Sequence, residues 1–298
     1  MSFVKKFSGI HCPMVTPFKK DHSLDEEGLK KLIDFVLGEG AMGLVPCGTT
    51  GESPTLSEEE WEKVISISVD KANGKVPVIA GTGTNSTAKT IEKTKKALDI
   101  GVDACLVVTP YYNKPTQDGL ISHFKSVAQA VDVPLILYDI PGRTSREIAT
   151  ATLVKLAKEV DTIVGVKDAA ANISHTMEIL RQTKDFLVLS GEDALNYINL
   201  ALGGHGAICA VSNVIMREEV EMFKAAQENN WVKAREIHYR LLPVINALFA
   251  ETNPAPAKAA LKLMGIPAGP VRLPLVDVKP ETVERLRKEL AALGKIKG

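Results

Sequence analysis

Long apolar runs are missing from this chain. Apolar stretches such as Val102–Val108 and Val133–Tyr138 are seven and six residues long, where a bilayer-spanning helix needs about 20. The basic start, MSFVKKFSGIHCPMVTPF, offers no apolar core for a secretory signal. Excess charge of either sign is missing too: Lys plus Arg and Asp plus Glu both number 36. That removes any general drive toward nucleic acid or an anionic membrane, although a neutral chain still focuses charge in a pocket. Cysteine is sparse. Cys12, Cys47, Cys105 and Cys209 show no CxxC pairing and sit in apolar runs, which reads as four buried small hydrophobes in a reducing cytoplasm. The six histidines show neither HxH nor HExxH spacing, and the acids near the expected site do not cluster. No metal centre is therefore expected. GxSxG and GK[ST] are absent as well, against a serine-nucleophile elbow or a phosphate-binding loop.

What the chain does have is regular alternation. Its 298 residues, 45% hydrophobic and 24% charged, fit one large barrel with an appendage or two ordinary domains. Short β-branched runs predict strands at Ile10–Val15, Gly43–Pro46, Val76–Ala80, Ala104–Val108, Pro134–Tyr138, Ile163–Val166, Phe186–Leu189 and Ala207–Ala210. Between them, helical periodicity marks about 25–39, 57–72, 86–100, 117–130, 146–159, 172–183, 193–202 and 217–228. Ser57 before Glu58–Glu60 is a good N-cap, and Ser86, Thr116 and Asn172 are placed to cap similarly.

Eight such units in about 228 residues match an α/β (β/α)8 barrel, a TIM barrel, whose strands are buried on both faces. A doubly wound sheet competes, but it wants a glycine-rich turn after strand one, where Val15–Thr16–Pro17–Phe18 stands. Beyond Trp231 the pattern is helical at about 231–251, 254–264 and 280–292. Residues 1–228 are thus expected to form the barrel and 229–298 a C-terminal helical subdomain.

Barrel sites form where strands end at their C-terminal face. Lys167 directly follows Thr162–Val166, so its ammonium is expected over an apolar core, where desolvation favours a nucleophilic amine. A rim ion pair with Asp168 or Asp193 is the competing role. Tyr138 ends the neighbouring strand as a proton carrier or an aromatic plug. Thr49 and Thr50 lie in a Gly-flanked turn able to gather hydroxyls and N–H groups on a carboxylate, or simply to turn the chain. Arg143, after Pro141–Gly142, offers a planar fork for a carboxylate, or is a solvated surface arginine.

Five ordered segments carry a resemblance: GTTGESPTLS (48–57), TPYYNKP (109–115), YDIPGRT (138–144), GVKDA (165–169) and GGHGAI (203–208). In order and spacing they resemble the dihydrodipicolinate synthase / N-acetylneuraminate lyase family, and ETNPAPAKAALKLMG (251–265) is similar to its C-terminal part. The resemblance implies that Lys167 forms a Schiff base with pyruvate and that Tyr138, Thr50 and Tyr112 relay protons. It also implies that Tyr112 acts in an adjacent subunit's site, within a homotetramer built from tight dimers. Thr49 would hold the pyruvate carboxylate, Arg143 that of the second substrate, and Gly191 and Ile208 would line the pyruvate site. No cofactor is implied.

GTTGE together with PGRT favours L-aspartate 4-semialdehyde as second substrate, because it offers a carboxylate that a guanidinium grips bidentately, over a long sugar acid, which needs hydroxyl partners instead. Asp139, where the family commonly has asparagine, and the stretch Asp168–Asn172, where it commonly has a small hydroxyl residue and a glycine, are departures that bear on substrate. Feedback-inhibited members carry an acid at the position of Lys89 and histidines near Glu58 and Trp61. Ser53, Asn85 and Tyr111 match, but Lys89 would repel an inhibitor ammonium, so lysine inhibition is expected to be weak or absent. The alternatives are a 2-keto-3-deoxy sugar-acid aldolase or sialic-acid-type lyase sharing Lys167 and Tyr138, and a non-catalytic keto-acid-binding barrel.

Overall fold

The computed structural model describes residues 2–297. Its strands are β1 (Gly9–Cys12), β2 (Gly43–Leu44), β3 (Ile79–Gly81), β4 (Ala104–Val108), β5 (Leu135–Asp139), β6 (Ile163–Asp168), β7 (Leu187–Ser190) and β8 (Gly206–Ile208). They form one parallel sheet in the order β2-β1-β8-β7-β6-β5-β4-β3, and the parallel bridge Leu44–Val78 closes it into a ring. Around it run α1 (Phe3–Phe7), α2 (Glu26–Gly38), α3 (Glu58–Ala72), α4 (Thr87–Ile100), α5 (Gln117–Ala130), α6 (Pro141–Thr144), α7 (Thr150–Glu159), α8 (Ile173–Gln182), α9 (Asn196–Ala201), α10 (Ser212–Gln227), α11 (Trp231–Leu248), α12 (Ala255–Leu263) and α13 (Pro280–Ala292). The barrel expected from the alternation is present.

Prolines trim its strands. β1 ends at Cys12 before Pro13, β2 stops short of Pro46, and β3 begins after Pro77, because proline has no N–H to give the ladder. Cys47 consequently lies in a turn with φ +57° rather than in a strand, though it is buried like the other three cysteines. The foreseen caps form: Ser57 makes a full capping box with Glu60, and Ser86, Thr116 and Asn172 each accept a first-turn N–H. Each such cap is worth about 1 kcal/mol. Helix α7 starts at Thr150 instead of 146, because Ser145 is left-handed and the Thr144 hydroxyl accepts the Arg146 N–H.

Two apolar layers result. An inner cluster of Val45, Ile79, Leu106, Ile136, Val164, Leu187, Leu189 and Ile208 fills the ring, with Phe7 of α1 at its N-terminal end. A larger outer cluster joins the opposite strand faces to the helices, including α10, α11 and α13. Fully burying each such side chain contributes roughly 1.5–3 kcal/mol.

The segment after α11 returns to the C-terminal mouth of the barrel. Lys258 of α12 pairs with Glu52 at 2.5 Å, with both side chains almost wholly buried. Arg272 pairs with Glu60 at 2.5 Å, donates to the Thr55 carbonyl, and lies 3.9 Å over the Phe18 ring.

Candidate active site

A bulge decides which way Lys167 points. Leu135 of β5 pairs with Ile163, but the next residue, Ile136, pairs with Gly165, so β6 holds one extra residue there. Strict alternation would put Lys167 on the same face as Ile163, which packs outward. The extra residue flips that face. Gly165 permits it, since a Cβ there would come within 2.5 Å of the Leu187 Cβ.

Tyr138 and Lys167 then become register partners. Both are buried, and the lysine ammonium lies 4.1 Å from the centre of the tyrosine ring, a cation–π contact. Among the described residues, no carboxylate comes within 4.0 Å of that ammonium, so the rim ion pair weighed for Lys167 is not made. More distant acids feel its charge: burial pushes the Asp193 carboxyl up to about 7 and raises Glu192, while Lys167 pulls both back. Gly191 gives the lysine stem its room. A Cβ at that position would sit 2.8 Å from Lys167 Cε. Ile208 lies in the same inner cluster as Tyr138.

Above this pair opens a cavity of about 360 Å³, walled in part by Thr49, Tyr138, Arg143, Tyr111 and Asn253. Lys167 is not on its wall and adjoins it through the Tyr138 ring. Arg143, on the short helix α6, is exposed. Thr50 is buried, and its hydroxyl accepts from Asn253 Nδ2 at 2.9 Å, while the Asn253 carbonyl accepts from Arg143 Nη2 at 3.4 Å. Asn253 escaped the sequence reading. It lies 203 residues from Thr50, and the only hint of it was the resemblance of segment 251–265. Tyr112 stands apart: it is 90% exposed, has φ +71°, and is not on the cavity wall.

One expectation fails. Acids at the barrel mouth do cluster, because Asp139 and Asp168 are also register partners, one step beyond Tyr138 and Lys167 and on the outer face. Together with His175 of α8 they form a buried group whose donor atoms lie within 4.8 Å of one another. Burial pushes the Asp139 carboxyl up to about 7 against the pull of the Ile148 N–H and of His175. Asp168 is also desolvated, but His175, Thr176 and the Ala170 N–H hold its carboxyl below the ordinary range. Strand register made this cluster, and sequence spacing could not show it.

A parallel (β/α)8 barrel with a buried lysine at a strand end, its ammonium over a tyrosine ring, is the frame of a class I, amine-using enzyme. The Dihydrodipicolinate synthetase family matches residues 6–293, and the chain belongs to that family. It is 47% identical to the 4-hydroxy-tetrahydrodipicolinate synthase of Methanocaldococcus jannaschii over 97% of this chain and 100% of that protein. The solved dihydrodipicolinate synthase of Aquifex aeolicus superposes with a TM-score of 0.95 at 45% identity, over 98% of this chain and 100% of that one. The chloride-inhibited enzyme of Acinetobacter baumannii, solved with pyruvate, gives 0.94 at 40% identity, over 97% and 99%.

Proposed function

We propose that this chain is a Schiff-base lyase that condenses pyruvate with L-aspartate 4-semialdehyde to 4-hydroxy-tetrahydrodipicolinate, in the cytoplasm. The observation that carries this reading is the Tyr138–Lys167 pair, with no carboxylate among the described residues within 4.0 Å of the ammonium. The Lys167 amine attacks the pyruvate ketone, and loss of water leaves an imine. Protonated, the imine draws electrons from the methyl group, whose proton leaves through a relay of Tyr138, Thr50 and Tyr112. The enamine carbon then attacks the aldehyde. Finally the amine of the second substrate displaces the lysine by closing the ring, and Lys167 is restored.

Thr49 holds the pyruvate carboxylate while Gly191 and Ile208 line its pocket. Arg143 faces the same cavity as Thr49 and grips the carboxylate of the second substrate through its planar fork. The chemistry needs no cofactor. Tyr112, exposed on its own chain, serves the site of a second copy in a homotetramer. L-lysine inhibits weakly or not at all, because Lys89 is an exposed cation where an inhibitor ammonium would dock.

The test is mass spectrometry of the intact protein after incubation with pyruvate and borohydride. One reduced-imine adduct, lost in Lys167→Ala, is expected. A folded wild-type chain with no adduct would return the keto-acid-binding barrel to the front. An adduct with turnover of keto-deoxy acids, and none of aspartate semialdehyde, would give the site to an aldolase.

A further inference from the structure

We propose that Asp139, Asp168 and His175 form a binding site for a divalent transition-metal ion of the zinc or manganese kind, between the barrel wall and its outer helices. The proposal is independent of the Schiff-base reading, because these three side chains lie on the opposite face of β5 and β6 from Tyr138 and Lys167.

His175 Nε2 lies 3.1 Å from the Ile148 carbonyl, which can only accept, so Nε2 carries the hydrogen. Nδ1 is turned toward two carboxylates. Desolvation lowers the imidazole, but those carboxylates outweigh it and raise the group above its ordinary range, so a proton and a cation compete for one position. Among the described residues Nδ1 has no hydrogen-bond partner, and neither has Asp139 Oδ2. Asp139 is 0% exposed, and Asp168 and His175 are 6% each. Buried acceptors left without a donor are costly and need an explanation.

Distance favours an ion over a direct contact. His175 Nδ1 and Asp168 Oδ2 are 3.7 Å apart, too far for a hydrogen bond. Two ligands each about 2.1 Å from a common ion span about that gap. The rest of the cluster is already fixed. Asp139 Oδ1 accepts the Ile148 N–H at 3.2 Å, Asp168 Oδ1 the Ala170 N–H at 3.0 Å, and Asp168 Oδ2 the Thr176 hydroxyl at 2.6 Å. Such outer hydrogen bonds aim ligands at a metal. One imidazole with two carboxylates suits zinc or manganese better than calcium or magnesium. The ion would tie β5 to β6 and α8, and so act structurally. A proton on Nδ1 is the competing occupant.

Zinc titrated calorimetrically into the full chain, first stripped with a chelator, tests this. One equivalent should bind and raise the melting temperature, and His175→Gln and Asp139→Asn should each weaken binding about 100-fold. No binding by the wild type overturns the proposal and leaves the proton as occupant. Unchanged binding in both variants also overturns it, as an adventitious ion elsewhere. If the variants fail to fold, X-ray absorption of the zinc-loaded wild type decides. One imidazole nitrogen among oxygens supports the site; sulfur or several imidazoles overturns it.

Discussion

Tyr138 and Lys167 face each other across neighbouring parallel strands, with the ammonium 4.1 Å from the ring centre. The ring face meets the ammonium by a cation–π contact, while Glu192 and Asp193 act on it from beyond ion-pair distance. If the tyrosine also moves protons, its hydroxyl and its ring have separable tasks. Tyr138→Phe keeps the ring and should still form the borohydride-trapped pyruvate adduct, while turnover falls about 10²–10⁴-fold. Near-normal turnover in that variant would leave Tyr138 as packing alone.

Gly191 tests how tightly the lysine must be held. A methyl group at this position would sit 2.8 Å from Lys167 Cε and 2.8 Å from the Ala169 Cβ. Gly191→Ala should therefore displace the amine while the barrel stays folded. Displacement of a reacting group by about 1 Å costs on the order of 100-fold in rate. Stopped-flow adduct formation with pyruvate should slow accordingly, with an unchanged far-ultraviolet circular dichroism spectrum. Adduct formation at the wild-type rate would show that the stem has slack.

The barrel was legible because strands buried on both faces read as apolar runs, and because the N-caps at Ser57, Ser86, Thr116 and Asn172 are local signals. Prolines 13, 46 and 77 could have sharpened the strand ends. The direction of Lys167 was not legible in the same way. It depends on one extra residue in β6, a property of strand pairing. The Asp139–Asp168–His175 group and the Thr50–Asn253–Arg143 chain likewise join segments distant in sequence, which meet only once the ring is closed.

The C-terminal segment is fastened to the mouth by a buried ion pair. Lys258 reaches Glu52 at 2.5 Å and donates to the Pro270 carbonyl at 2.8 Å, and the second Glu52 oxygen accepts the Arg272 N–H at 2.8 Å. Burial pushes the Lys258 ammonium down to about 8 while Glu52 pulls it back up. Removing one partner strands the other charge, which costs about 3–5 kcal/mol. Urea unfolding of Glu52→Gln should show a loss of that size, with part of it recovered in the double variant with Lys258→Met. A loss below about 1 kcal/mol would mean that water reaches the pair.

Glu219 sets a pH dependence of stability. Burial pushes its carboxyl up from 4.5 to about 8, with nearby Asp193 adding to the rise and the Asn196 amide opposing it. The folded chain thus keeps a proton that the unfolded chain releases near pH 4.5. The unfolded state binds fewer protons across this window, so stability falls as pH rises from about 4.5 to about 8. Asp193, also raised to about 7 by burial, slopes the same way. Buried His11 and His123, each pushed down to about 4, slope the other way below about pH 6.5. The measurement is therefore a difference: the melting temperature of the wild type minus that of Glu219→Gln, which keeps an oxygen for Asn196, should decline across that range. Parallel profiles would show that Glu219 is ionised in the fold.

Tyr112 makes a prediction about assembly. It is 90% exposed and off the wall of its own cavity, whereas Lys167 is buried beside that cavity. If each site takes Tyr112 from a partner, Tyr112→Phe and Lys167→Ala damage different subunits of the same site. In a mixed dimer, the subunit that keeps Lys167 receives an intact Tyr112 from its neighbour, so one of the two sites works. Equal mixing with random reassortment makes half the dimers mixed, so about a quarter of wild-type activity should return from two impaired proteins. A mixture no more active than its separate components, with subunit exchange verified by differential labelling, would place the Tyr112 hydroxyl outside the reaction or within its own chain's site.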